Sequence, residues 1–322
     1  EKLAVRGVVY ADHMGGYIDN VPGTLDASES ARFRPEGTVR SNGVPVSGFR
    51  AGFQAQSDLS GVNFLEANNA GLVEKDFNDA TYAGFRVSGR YEFNSDWRAT
   101  VAFSQQNLDK DGVFFEDPNL DDYQVQRFSE DELEDKFANL AWTLEGRLGM
   151  LDLVYTGAYT SREAEQVIDY TDYLFVGQYL PDYICDYAVV YPTGNPSGTC
   201  QQPNLFVDST SDTDVSSHEF RFNTPQDNRW RVTAGVFYSS LRLAERNDFT
   251  YPGSTEVVNA NGTIGFQSLP PNYPLTNGDA TAGQIGVETQ GYFSLPGPLP
   301  AGVGFRNDVK RTDEQLGAFG EF

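Results

Sequence analysis

The chain has 322 residues, with 46 Asp plus Glu against 23 Lys plus Arg and a net charge of −23, a balance that repels phosphate backbones and argues against any nucleic-acid partner. Apolar residues make up 39% of it and aromatics 13%, too many rings for a disordered polymer. No run of 18 apolar residues occurs, which excludes a transmembrane helix but not a membrane-spanning strand, for which every second residue need be apolar.

Period-two alternation marks eight strands. The first covers 3–12, with Leu3, Val5, Val9 and Ala11 on one face. The second, 82–93, sets Phe85, Val87, Tyr91 and Phe93 against Arg86, Ser88, Arg90 and Glu92. Asn94-Ser95-Asp96 breaks the run, and 97–106 resumes it with Trp97, Ala99, Val101 and Phe103. The fourth, 134–144, carries Ala138, Leu140, Trp142 and Leu144; the fifth, 150–160, carries Leu151, Leu153, Tyr155 and Tyr159. The sixth, 216–223, the seventh, 229–240, and a weaker eighth, 312–322, follow with Phe220 and Phe222, Trp230 to Tyr238, and Leu316, Ala318 and Phe322.

Connections of about three to five residues ("NSD", "EGRLG", "TPQDN") alternate with long ones, 13–81, 107–133, 161–215 and 241–311. Short turns at one end of a sheet and long loops at the other are the habit of a transmembrane β-barrel, not of a Greek-key sandwich. Trp97, Trp142 and Trp230, joined by Tyr91 and Phe93, read as an aromatic girdle at one membrane level. The apolar faces then meet lipid, and the Arg, Glu, Asn, Thr and Ser of the other face line a wet lumen. The chain opens in a strand at Glu1-Lys2-Leu3 and closes in the strand-like "LGAFGEF", so an internal piece of a longer protein is expected.

"FRVSGRYEFNSDWRATVAFSQQ", "SSHEFRFNTPQDNRWRVTAGVFYS", "DEQLGAFGEF" and "LAVRGVVYADHMGGYIDNV" resemble the barrel of TonB-dependent outer-membrane receptors. The resemblance covers most of the chain and is strongest in the strands. It implies a Gram-negative outer membrane, contact with lipid and lipopolysaccharide, and active uptake of an iron-siderophore or similarly large nutrient, powered through a TonB complex that contacts an N-terminal region not seen here. It also implies a larger barrel of about 22 strands around a plug. The chain shows no plug and too few strands, so the expected fold is all-β: about eight meandering antiparallel strands forming an open curved wall of that barrel, with strands one and eight as unpaired edges. A passive porin-like channel and a secreted glycan-binding β protein are the competing readings.

Cys185 and Cys200, alone in a turn-rich segment, are expected to be bonded, which implies an oxidising compartment. No catalytic constellation, cofactor fingerprint or zinc spacing is found, and no enzyme is expected. His13 follows a strand end, and His218 has the outward parity of its strand. Asn107, Asp109, Asp111 and Gly112 have the spacing of a calcium loop, but Pro118 stands where its final Glu belongs. The eleven acids of 109–135, against Lys110 and Arg127, read as a solvated outer loop or one bridged to lipopolysaccharide by divalent cations. Asn261-Gly262-Thr263 has the glycosylation spacing, to which no weight attaches in a bacterial protein. The resemblance puts ligand contacts in loops and lumen wall; the candidates are Tyr170, Tyr173, Phe175, Tyr179 and Tyr187, with Arg86 and Arg90.

Overall fold

The computed structural model describes residues 2–41, 43–52, 54–176, 178–225, 229–251, 255–258, 264–267, 284–285 and 303–322. Eight strands form one sheet: β1 (Leu3–Met14), β2 (Ala80–Glu92), β3 (Trp97–Asp111), β4 (Glu132–Leu148), β5 (Leu151–Asp169), β6 (Phe206–Asn223), β7 (Thr233–Thr250) and β8 (Val303–Glu321). They lie side by side in chain order, and every neighbouring pair is antiparallel. β1 pairs only with β2, and β8 only with β7. Among the described residues no ladder joins Val5 to Ala318, so the sheet is open, as expected. Because order and direction alternate strictly, the connections 93–96, 149–150 and 224–232 share one end. The connections 15–79, 112–131, 170–205 and 251–302 share the other.

The register shows what each face is made of. One row crosses all eight strands through Val5, Gly89, Val101, Trp142, Gly157, His218, Tyr238 and Leu316. Its apolar side chains have no cover: Leu316 is 83% exposed, and Val9 of the same face 84%. Eight residues nearer the long connections, roughly 26 Å along the strands, the same face reads His13, Thr81, Asp109, Glu134, Glu165, Thr210, Arg246 and Asp308. An apolar band therefore occupies the short-turn half of this face and gives way to charge above it.

The opposite face is polar, and its side chains pair across strands. Arg98 meets Glu145 at 2.5 Å and Arg147 meets Asp152 at 3.0 Å. Asn139 donates to Thr160 at 2.7 Å, and the Thr143 and Thr156 hydroxyls lie 3.3 Å apart. All are exposed or half-buried, so each contributes modestly.

Strand lengths depart from expectation mostly at the long-connection end, although β4 also runs four residues farther, to Leu148, and β7 starts four residues later, at Thr233, at the short-turn end. β5 runs on to Asp169, β6 begins at Phe206 and β8 at Val303. Sequence alternation stops where the band stops, because above it both faces are polar, yet the backbone ladder continues. The calcium-loop spacing, already broken by Pro118, falls on a strand. Asn107, Asp109 and Asp111 are extended residues of β3 and cannot wrap around an ion, and among the described residues no His, Cys, Asp or Glu group is disposed to hold a metal.

The girdle expectation needs revision. Trp97 pairs with Gly146, whereas Trp142 lies four residues farther along β4, opposite Val101 and Gly157. Trp230 precedes β7 altogether. It sits in a turn closed by the Thr224 amide donating to the Val232 carbonyl and the Val232 amide to Thr224 Oγ1, each at 2.9 Å. The three tryptophans are spread over different rows. Tyr91 and Phe93 do pack together, 5.1 Å between centroids, at the turn end of β2. Both strand tryptophans lie on glycine: a Cβ on Gly146 would overlap the Trp97 ring, and one on Gly157 would come within 2.6 Å of Trp142. Each ring covers a backbone that offers no side chain of its own.

Candidate functional site in the cap of long connections

Among the described residues, the buried hydrophobic clusters lie in the long connections. Leu25, Ala27 and Phe33 of 15–79 pack with Leu174, Phe175, Leu180, Ile184, Val189, Val190 and Leu205 of 170–205. Ile18, Val113, Val125 and Phe77 form a second cluster joining 15–79 to 112–131. Two parallel pairings stitch the connections together, Gly61–Phe64 with Ser197–Cys200 and Asp19–Asn20 with Gln124–Val125.

Cys185 and Cys200 are bonded and fully buried in the first cluster. Their Cα atoms are 3.9 Å apart, closer than the 4.4–6.8 Å usual for a disulfide. They face each other as an isolated antiparallel bridge. The flanking bonds run from the Asp186 amide to the Thr199 carbonyl and from the Gln201 amide to the Ile184 carbonyl. The cysteines thus occupy the non-hydrogen-bonded position, where Cα atoms approach most closely.

Buried charges complete the cap. Arg32 reaches Asp182 at 3.0 Å and donates to the Gln178 and Val190 carbonyls. Burial pushes the Asp182 carboxyl up, with Arg32 pulling against it. Arg127 bonds Asp131 at 2.7 Å and donates to the Asp169 carbonyl at 2.7 Å. Asp169 in turn accepts from the Phe128, Ser129 and Thr171 amides. Burial disfavours the Arg127 charge, but the bond to Asp131 and the charge of Asp169 outweigh it and hold the guanidinium protonated. Asn20 accepts from the Arg127 amide and donates to the Leu72 carbonyl, both at 2.8 Å.

The expected ligand contacts divide. Phe175 is buried, its ring 5.4 Å from the Arg40 guanidinium, and serves the core rather than a ligand. Tyr173 packs against the same core and lies 5.6 Å from Tyr170. Tyr170 and Tyr179 are exposed. The Tyr187 backbone lies in a helical turn, Tyr187–Val190, and its side chain is outside the described residues, as are 261–263. Arg86 and Arg90 sit on the polar face of β2, Arg90 paired with Glu92 at 2.9 Å. They lie six and ten residues from the cap end of that strand, so they are not brought together with the tyrosines. His218 lies in the apolar row, its Nδ1 2.9 Å from the Tyr155 hydroxyl; His13 is exposed, with Nδ1 3.1 Å from Thr81 Oγ1.

A cluster not anticipated from the sequence stands on the cap. The Tyr17 ring lies 6.2 Å from Phe114 and 6.0 Å from Tyr123, and the three are 50%, 49% and 58% exposed. Tyr123 has φ +63°, a left-handed conformation uncommon for a side chain of its size. It is held there by its amide donating to Glu116 Oε2 at 2.9 Å and its carbonyl accepting from the Asp19 amide at 2.8 Å. Phe114 also lines a hollow of about 320 Å3 with Lys110, Phe115, Arg127, Leu133, Gln166 and Ile168. Lys110, Leu133, Gln166 and Ile168 all belong to the polar-face parity. A second hollow of about 350 Å3 is acidic, lined by Glu74, Asp79, Asp111, Glu130, Asp131 and Glu132. The available signal was three aromatics inside the acid-rich "DGVFFEDPNLDDYQ", which a merely solvated loop does not need.

No protein-family model matches the chain, and no curated protein matches it.

Proposed function

We propose that this chain is part of the β-barrel of a TonB-dependent receptor in the outer membrane of a Gram-negative bacterium. In this reading it serves the uptake of an iron chelate or a similarly large nutrient. The observation that carries the reading is the uncovered apolar band, continuous across all eight strands. Water would not tolerate so broad an apolar surface on a soluble protein, whereas a bilayer supplies its solvent. Three further features support it. The band has one polar reverse face, suited to a wet lumen. The long connections gather at the charged end, where lipopolysaccharide and the outside lie. The open ladders of β1 and β8 are where the remaining strands would join. The plug and the contact with the TonB complex would come from other sequence.

The test is a parity scan in the outer membrane. Arg at Val87, Leu140 or Val236 should cost ~2–4 kcal/mol, and Arg at Ser88, Asn139 or Ser239 clearly less. Equal costs at both parities would remove the membrane reading.

A further inference from the structure

We infer that Tyr17, Phe114 and Tyr123, with the hollow that Phe114 also lines, bind a neutral oligosaccharide; this rests on the receptor reading and narrows its nutrient. Three half-exposed rings from two connections are held close together rather than buried in the core a few residues away. Keeping Tyr123 in the left-handed region costs conformational energy that glycine would not incur. Such strain is retained where the side chain itself is used. Lys110 Nζ stands 4.3 Å from the centre of the Phe114 ring, leaving Tyr17 and Tyr123 as the more open platforms. Half-exposed rings suit the C–H faces of pyranose rings.

Charge selects among ligands. Glu116, Asp117, Asp121, Asp122 and Glu130 belong to the connection that carries Phe114 and Tyr123, while its one base, Arg127, is buried and occupied by Asp131 and Asp169. Arg32 is buried against Asp182, and the half-buried Arg34 pairs with Glu29 at 3.0 Å. Arg32, Arg40 and Arg127 are buried, and although Arg50 and Lys75 of 15–79 are exposed and Lys110 lines the hollow, acids outnumber bases in the cap's connections, in a chain of net charge −23. An anionic iron chelate approaching that surface is repelled, and a neutral sugar is not.

The test is calorimetric titration of the protein in detergent with maltohexaose, xylohexaose, chitohexaose and ferric citrate. At least one hexasaccharide should bind, with an affinity unchanged by added salt, and ferric citrate should not. Tyr17→Ala and Phe114→Ala should each weaken binding about tenfold, the scale of one good aromatic contact. Tyr123→Gly is the decisive variant. It suits the backbone and keeps the loop, so a merely structural tyrosine would leave affinity unchanged, whereas a binding tyrosine would lose about tenfold. Failure of all three sugars to bind, undiminished binding by Tyr123→Gly, or binding of ferric citrate instead would overturn the inference. Cell fractionation separates the two readings. Outer-membrane residence without sugar binding sinks only this inference. Sugar binding by a chain that stays dissolved without detergent sinks the receptor reading and leaves the site.

Discussion

In the eight-stranded wall, large apolar side chains such as Val5, Val9 and Leu316 are bare, and ion pairs such as Arg98–Glu145 stand in the open. In the cap, Leu174, Val189 and Val190 are fully buried, and Arg32–Asp182 is sealed beneath them. One chain thus holds a region with a bare apolar band on one face and another with an inner core and a charged exterior. The wall is held by backbone ladders and needs something against its band. The cap is held by side chains and a disulfide and needs only the strand ends as a platform. Changes in one should therefore leave the other standing.

The largest separation should come from Asp182→Ala. Removing the carboxylate that faces the buried Arg32 should cost the cap ~3–5 kcal/mol. Limited proteolysis should then nick 170–205 while the strands stay protected; simultaneous loss of strand protection would show that cap and wall are one cooperative unit.

Replacing Cys185 and Cys200 by Ser should cost about 3 kcal/mol, the loop-closure term for a staple spanning 15 residues. Hydrogen exchange is expected to quicken in 61–64 and 197–200 and to stay slow in β5 and β6. A uniform change across both regions would break the comparison.

A substitution in the wall should do the converse. Gly157→Val would push the Trp142 ring off its glycine and cost ~1–3 kcal/mol as an overpacking change. Tryptophan fluorescence should shift, and the cap's protease resistance should not.

The smallest effect is set by pH. Burial pushes the Tyr251 phenol well above its ordinary value, so the folded cap holds that proton more tightly than the unfolded chain does. Its stability is unaffected below the ordinary tyrosine range, near about 10, and falls as pH rises beyond it. Alkaline titration followed by near-ultraviolet dichroism should show the cap loosening in that window, and Tyr251→Phe should remove the dependence.

The wall was legible in the sequence and the cap was not, for a physical reason. A band facing one apolar surrounding imposes a period of two, so Val87, Val101, Leu140 and Val236 declare their face within a few residues. Once both faces are polar, as in Ser209 to Asp214 of β6, the pattern vanishes while the strand goes on. In the cap, burial depends on partners far away in the chain. Nothing near Phe175 says that it will lie beneath Arg40, or near Tyr17 that it will stand beside Phe114 and Tyr123. The disulfide was readable because two cysteines alone have one choice, and its tight Cα spacing was not, since that follows from the bridge in which the pair sits. Trp230 misled because the alternation around it continues into a turn.

The parallel pairing of 61–64 with 197–200 also bears on the order in which the chain acquires its structure. Three of the wall's seven pairings are hairpins across short turns, which close with little loop entropy, and the other four close across the long connections at a cost that grows only slowly with length. The cap must bring together segments more than a hundred residues apart, as Asn20 and Arg127 are, and those distances shrink only after the strands between them have found their register. The cap should therefore be the last part to mature. The exception is the Cys185–Cys200 span, which is local enough to be oxidised while the rest of the cap is still open. Pulsed thiol labelling during refolding is expected to show both cysteines protected before residues 61–64 are.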